Sequence, residues 1–559
     1  MNLYSLLAKH APNRVFFSIL IGIQSGAAFA LLIPLVMSSM DARGEFEDLK
    51  WPRFAILGIQ ITNPSAALLF AAALVFVWLS RTWVDVTMTR VSLAATSALR
   101  LQTYHRIAYA PLAVIEEIGF SRIATTIATD MPAVVVGAQT AQTVLIDLVT
   151  LVGMLSFLAI VNLGVFWFLL KCIIFGVFSY LLTMSFADRY FFRASILNDK
   201  LQKSVHGLLH GFKELKLSDE KRRQYFDGIL QENENQLLAA QRPGSTLHSA
   251  VANYGLMLNF LFLGLVTFVF VSYHSLSAQG LSSVIMVMLY ISMPIGSITS
   301  SISRLTVARL AIRRVNALLA DLPQEEVLQQ RGRAHVWNSV RFDEVSYQYK
   351  NKNDGAGFTV GPVNLEFFKG EVAFIVGGNG SGKSTLCKLL TLHYHAAGGA
   401  IYFGADRITS QNINSYRQSI SAIYADYYLF DRILATNQDY EKVRNYLTQF
   451  GLDKKVRYSD GRFSTLSLSD GQRRRLALVA AFMEDRDLYV FDEWAADQDP
   501  HFKEVFYRQI LLSLKARGKA VVVISHDDRY FDVADRVIEM REGKCIERPK
   551  IAVRVSPLS

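Results

Sequence analysis

Six apolar stretches before residue 305, at roughly 15–39, 65–88, 136–160, 163–187, 246–272 and 279–302, set the first boundary on the fold. Each is about as long as the ~20 residues that carry a helix across a bilayer. With 51% hydrophobic and 19% charged residues and a mean hydropathy of +0.23, the chain is too apolar for an ordinary soluble enzyme. Its 559 residues leave room for more than one domain. The first stretch resembles a secretion signal, since Arg14 precedes an apolar run that ends near Ala27-Ala28-Phe29-Ala30. It continues through Leu31-Leu32-Ile33-Pro34-Leu35-Val36, long for a cleaved signal, and reads as a retained span.

The net charge of +10 does not by itself separate a nucleic-acid binder from a membrane protein with basic cytoplasmic loops. Its distribution favours the membrane, and no nucleic-acid partner is expected. The connections Val161-Asn162-Leu163 and Tyr273 to Gly280 carry no Lys or Arg, whereas ten lie between Arg189 and Arg242. The excess of Lys and Arg on cytoplasmic loops places the 188–245 segment, both termini and the glycine-rich 377–385 segment inside the cell. The loop from Asp41 to Pro64 is then outside, although it contains Arg43, Lys50 and Arg53. Cys172, Cys387 and Cys545 lie far apart and form neither a disulfide framework nor a zinc pair.

The two cytoplasmic connections, about 89–135 and 188–245, are too long for turns and keep helical apolar spacing. The spans are expected to continue below the membrane as helices. Their tips, near Pro111-Leu112-Ala113-Val114-Ile115 and Leu208 to Leu215, would press on a soluble domain; the alternative is amphipathic helices lying on the bilayer. Asp147 and Lys171 put charges inside spans three and four, where a charge faces a cavity, a partner or nearby water. The sequence leaves open which applies.

Past a polar linker at 321–335, strands and helices alternate to residue 549, and 550–559 form a tail. Within this region Val372-Ala373-Phe374-Ile375-Val376 reads as a buried strand, and Leu386-Cys387-Lys388-Leu389-Leu390 as a helix. Between them stand Gly377, Gly378, Asn379, Gly380, Ser381, Gly382, Lys383, Ser384 and Thr385, a glycine-rich loop whose N–H groups can wrap phosphate oxygens. Lys383 would reach the β- and γ-phosphates of ATP, and the Ser384 hydroxyl would ligate Mg²⁺. Upstream, Tyr349 is placed to stack on adenine. Downstream, the apolar run Leu488-Tyr489-Val490-Phe491 delivers Asp492 to the Mg²⁺ shell and Glu493 as general base. A second run, Val521-Val522-Val523-Ile524, delivers Ser525-His526, with His526 positioned to contact the γ-phosphate.

The last element is Leu468-Ser469-Asp470-Gly471-Gln472, followed by three arginines. Taken alone it is a helix N-cap at Ser469 for a helix beginning near Gln472. With the other motifs, in this order, the region resembles the nucleotide-binding domain of an ATP-binding cassette (ABC) protein. That resemblance implies that Ser469, Gly471 and Gln472 of one copy face the phosphate loop of a second, so a chain with one cassette and six spans would work as a homodimer. Phe491 to Pro500, Ser525 to Phe531 and Gly211-Phe212-Lys213-Glu214-Leu215-Lys216-Leu217 further resemble the bacterial exporters of cyclic or nonribosomal peptides and siderophore precursors, such as those for pyoverdine and syringomycin.

Two positions depart from the family pattern. Ala425 stands where most cassettes carry a glutamine that ligates Mg²⁺ and senses the membrane helices, so water, Asp426 or another route must serve. The loop after Glu493 lacks the usual wording, and Asp499 is matched to its aspartate, which would contact the opposite subunit.

The expected fold is therefore a six-helix transmembrane domain at 1–320 fused to an α/β P-loop NTPase domain at 336–549. The expected activity is ATP hydrolysis coupled to export of a peptide-like or siderophore-type molecule across the bacterial cytoplasmic membrane. ATP and Mg²⁺, lipid and a second copy of the chain are the expected partners. A lipid flippase and an ATP-gated channel or regulator share the architecture and remain alternatives.

Overall fold

The structure is a computed structural model that describes residues 11–45, 54–56, 59–61, 64–270, 278–325, 336–349, 357–434 and 439–548. Most of the linker, the 273–277 connection and the C-terminal tail lie outside the described residues. The chain divides into two compact units, Met1–Tyr104 with Ser121–Ala320, and His105–Phe120 with Asp321–Ser559.

The first half holds six helices long and apolar enough to cross a membrane: Pro12–Val36, Ser65–Ala108, Phe120–Val161, Leu163–His210, Asp219–Val269 and Leu281–Asp321. Several run far beyond the ~20 residues a bilayer needs, as their helical spacing past the apolar runs foretells. At the short connection Asn162 takes extended geometry, and its side chain accepts the Val165 N–H at 3.0 Å, which ends one helix and caps the next. In the first and third spans small residues let the backbones approach. A Cβ on Gly26 would lie 2.9 Å from the Ile146 carbonyl oxygen, and one on Gly153 would lie 2.7 Å from the Ala30 Cβ. Around this contact Ala30, Ile33, Met154, Leu158, Leu169, Val284 and Met288 form one apolar cluster.

Asp147 lies near Ser297 and Arg81, whose guanidinium is 4.6 Å from the centre of the Phe29 ring, and the Asp147 Oδ2 is buried without a hydrogen-bond partner among the described residues. Lys171 is exposed, and among the described residues no ion pair joins it to Asp147. The groups around this carboxylate thus come from the second and sixth spans and not from Lys171 in the fourth.

The second unit is built on two sheets. A six-stranded sheet runs in the order Lys544–Arg548, Arg536–Arg541, Val372–Gly377, Ala520–Ile524, Leu488–Asp492, Ile420–Ile423, parallel except for the first strand. Its central strands are buried along their whole length, which is why they appear in the sequence as unbroken apolar runs. A four-stranded antiparallel sheet, ordered Thr359–Phe368, Ser339–Gln348, Gly398–Phe403, Asp406–Arg407, carries its own inward face. Residues 105–120 belong to this unit because Leu112 and Ala113 pack against its core beside Tyr347.

Candidate nucleotide site

Register brings the chemistry to one edge. Ile375 pairs with Ile524, and Ile524 with Asp492, so the carboxyl ends of three parallel strands end side by side. From them emerge the 377–382 loop, Asp492-Glu493 and Ser525-His526.

The loop needs its glycines. Gly382 has φ +104, and a Cβ on Gly377 would sit 2.4 Å from the Met540 carbonyl oxygen. Lys383 opens the Lys383–Leu390 helix and is buried, its ammonium donating to the carbonyl oxygens of Gly377 at 3.0 Å and Gly378 at 2.9 Å. The Ser381 hydroxyl is buried without a partner. Beside this loop opens a cavity of about 880 Å³ lined by Phe358, Thr359, Gly378, Asn379, Gly380, Ser381 and Met540 among others. Ser384 is exposed. Thr385 is buried, and its hydroxyl lies 3.0 Å from the Tyr349 hydroxyl.

Asp492 is 6% exposed. Burial, then the neighbouring Glu493 charge, push its carboxyl above the usual range, against the Ala425 N–H and the Lys383 charge. Glu493 adopts φ +49, a conformation that few residues other than glycine hold, and its N–H donates to Ile524 O at 3.1 Å. Its carboxylate lies 3.1 Å from His526 Nε2. His526 and Glu493 face a second cavity of about 280 Å³ with Lys503, Tyr507 and Asp527.

The Ser469 segment caps the Asp470–Glu484 helix, which starts two residues earlier than the sequence suggests. The Ser469 N–H donates to Gln472 Oε1 at 3.3 Å. Among the described residues no hydrogen bond links Ser469, Gly471 or Gln472 to residues 377–385. Asp499 caps the Pro500–Val505 helix by accepting the Phe502 N–H at 2.9 Å, and it also pairs with Arg475 at 2.6 Å.

Three residues whose roles motif reading passes over hold these groups in place, and a fourth lines the cavity. Buried Arg474 donates to Glu493 O at 2.5 Å and to Trp494 O at 3.1 Å, and pairs with Asp497 at 2.7 Å. Trp494 Nε1 returns a bond to Arg474 O at 3.1 Å, and Gln498 Nε2 donates to Gly471 O at 3.1 Å. Phe358, partly exposed on the cavity, offers a second aromatic face near Tyr349. The arginine run was visible in the sequence, but its backbone acceptors carry no sequence signal.

The donor set suits a nucleoside triphosphate with magnesium. The glycine cradle, an unpartnered hydroxyl and a buried ammonium held only by backbone oxygens are groups that phosphate oxygens would satisfy. Among the described residues no cluster of three His, Cys, Asp or Glu side chains could hold a metal alone.

A family model described as ABC transporter matches residues 360–496. Over 98% of this chain and 96% of that protein, the sequence is 29% identical to the ATP-binding protein SyrD of Pseudomonas syringae pv. syringae. An ATP-dependent lipid A-core flippase of Blochmanniella floridana is 24% identical over 49% of this chain and 48% of that protein. Among solved structures, a bacterial Atm1-family ABC exporter with ATP bound has a TM-score of 0.73 over 96% of this chain and 94% of that one, at 17% identity. The whole fold is therefore shared with that structure.

Proposed function

Because this chain belongs to the ABC transporter family, as an ATPase coupled to transport, we propose that it is a homodimeric exporter of a peptide-like or siderophore-type molecule. The observation that carries the ATPase reading is the meeting of Lys383, Asp492, Glu493 and His526 at one sheet edge, with His526 3.1 Å from Glu493. Lys383 takes the β- and γ-phosphates, and Asp492 with Ser384 takes the magnesium, which when bound offsets phosphate charge. Glu493 accepts the proton of the attacking water, and His526 holds that carboxylate and meets the γ-phosphate. Tyr349 stacks on the base.

A second copy supplies Ser469, Gly471 and Gln472, and Asp499 meets it. The chain then lies in the bacterial cytoplasmic membrane with termini and ATPase inside, and ATP binding drives alternating access. For the cargo, support comes from the 491–500, 525–531 and 211–217 segments and from similarity to SyrD along nearly the whole chain, whereas the flippase matches half of it.

The test uses the purified full chain in liposomes. Glu493→Gln is expected to bind ATP normally and to lose hydrolysis by roughly 10²–10⁴-fold, the usual share of a general base. Unchanged turnover removes Glu493 from that role. Stimulation of the parent ATPase by cyclic peptides supports export; stimulation by phospholipid alone moves the reading to a flippase. Flux down a gradient with ATP bound and not hydrolysed makes it a channel.

A further inference from the structure

The short turn Thr391–His395, which follows the phosphate-loop helix, touches more functional segments than any motif in the chain announces. Tyr394 is 1% exposed, and its hydroxyl donates to Glu116 at 2.5 Å. Lys388, one face of the phosphate-loop helix, reaches Glu116 at 2.8 Å and the Tyr394 oxygen at 3.2 Å. The Tyr394 ring stacks on Tyr347 at 4.5 Å and 16°, and meets the edge of Tyr349 at 6.0 Å. Tyr349 is in turn bonded to Thr385, two residues past Lys383.

The same turn holds the end of the other incoming segment. Leu392 is buried at φ +59, and its carbonyl accepts the Arg417 Nε–H at 2.9 Å. Arg417 makes a two-pronged ion pair with Glu325, whose N–H donates to Tyr109 O at 2.9 Å. Glu116 and Glu325 therefore bring residues 105–120 and 321–325, both part of this unit, to one turn.

On its far side the turn reaches toward Asp492. The Tyr424 hydroxyl donates to Thr391 Oγ1 at 2.7 Å and lies 3.0 Å from His393 Nδ1. The next residue is Ala425, whose backbone N–H faces the Asp492 carboxylate. Position 425 thus reaches the site with its backbone alone, because an alanine side chain has no group to extend.

Resting on the ATPase reading above, we propose that the Thr391–His395 turn, with Tyr394 as its central positioning residue, links nucleotide occupancy to residues 105–120 in place of a side chain at position 425. Base stacking on Tyr349 shifts the Tyr347–Tyr349–Tyr394 cluster. Any shift of Asp492 on binding of nucleotide and its cation is passed to Ala425 and, through the adjacent Tyr424, to Thr391. Both displacements meet at Tyr394, whose hydroxyl sets the Glu116 carboxylate. The coupling is reciprocal: what loosens Glu116 must also be felt at the nucleotide.

The experiment is hydrogen–deuterium exchange on the full-length chain in detergent, with and without Mg²⁺ and a non-hydrolysable ATP analogue, together with analogue Kd. The variants are Tyr394→Phe and Glu116→Gln; the second alters a half-exposed group, so it keeps the test open if the first fails to fold. In the parent, the analogue is expected to slow exchange of 105–120 at least threefold. In each variant the analogue is expected to bind within about threefold of the parent Kd, while the nucleotide-dependent change in 105–120 disappears. A change in 105–120 that persists in both variants overturns the proposal. So does faster exchange there with and without analogue by the same factor, which marks a structural role only. A parent that binds the analogue without any change in 105–120 also overturns it and leaves the ATPase reading standing. A parent that binds no analogue overturns the ATPase reading itself.

Discussion

Asp492 is where the demands of folding and of chemistry pull apart. Its carboxyl is raised because burial and the Glu493 charge outweigh the Ala425 N–H and Lys383. A carboxylate whose folded pKa lies above its unfolded value stabilises the fold only at low pH, and that contribution is lost as pH rises through the folded pKa. At neutral pH the charged group therefore costs stability when no cation is bound. Asp492→Asn is expected to raise the melting temperature of the nucleotide-free chain by a few degrees at pH 7, with the gain fading toward pH 4, while Mg²⁺-dependent hydrolysis falls at least 100-fold. Thermal melts across pH, paired with phosphate release, check it; a lower melting temperature at pH 7 contradicts the burial argument. Residues such as Lys383, Asp492, Glu493 and His526 were legible in the sequence because each follows a run of apolar residues long enough to be a buried strand. Arg474 and Phe358 were not, since one donates to backbone oxygens and the other matters only for the cavity it lines.

The Asp470–Glu484 helix and the 493–499 loop behave as one part. Trp494 stacks on Phe506 at 4.3 Å, and Arg474 threads between the loop carbonyls while Gln498 returns to Gly471. The loop thereby fixes both the Glu493 backbone, strained at φ +49, and the helix N-terminus carrying Ser469. Arg474→Met would leave two buried carbonyl oxygens without their donor and Asp497 without its partner, a loss of about 2–4 kcal/mol. The expected result is a lower melting temperature and a kcat at least tenfold down, with ATP Kd within twofold, because Lys383 and the glycine loop belong to other elements. A Kd that rises in step with the loss of kcat would mean that Arg474 supports the nucleotide cradle. The sequence reading has the cap right at Ser469 but begins the helix near Gln472; with Ser469 as N-cap, Asp470 already takes helical geometry and favours the helix N-terminus. The long membrane helices were easier to read, as apolar length is a coarse signal. The Asp147 surroundings were not, because Arg81 and Ser297 come from two other spans that only the fold brings beside it.

For the molecule as an assembly, the question is where the second half of each ATP site comes from. Ser469 sits on a helix N-terminus, which attracts phosphate, yet in this chain that end is bonded to its own loop and makes no described hydrogen bond to residues 377–385. Under the proposed homodimer each site joins Lys383 of one copy to Ser469 of the other. This gives a prediction that a single-chain site cannot imitate. A chain with Lys383→Ala and a chain with Ser469→Ala are each inactive as homodimers, since every site lacks one member. Mixed and co-purified through two tags, the heterodimer has one site with both defects and one with neither. Its ATPase is expected to recover to about half of the parent rate if the two sites act independently, and to a smaller but measurable fraction if they act in concert. Were each site complete within one chain, every site in the heterodimer would still carry a defect and no activity would return. Failure to recover, with co-assembly demonstrated by the second tag, therefore rules out the shared site.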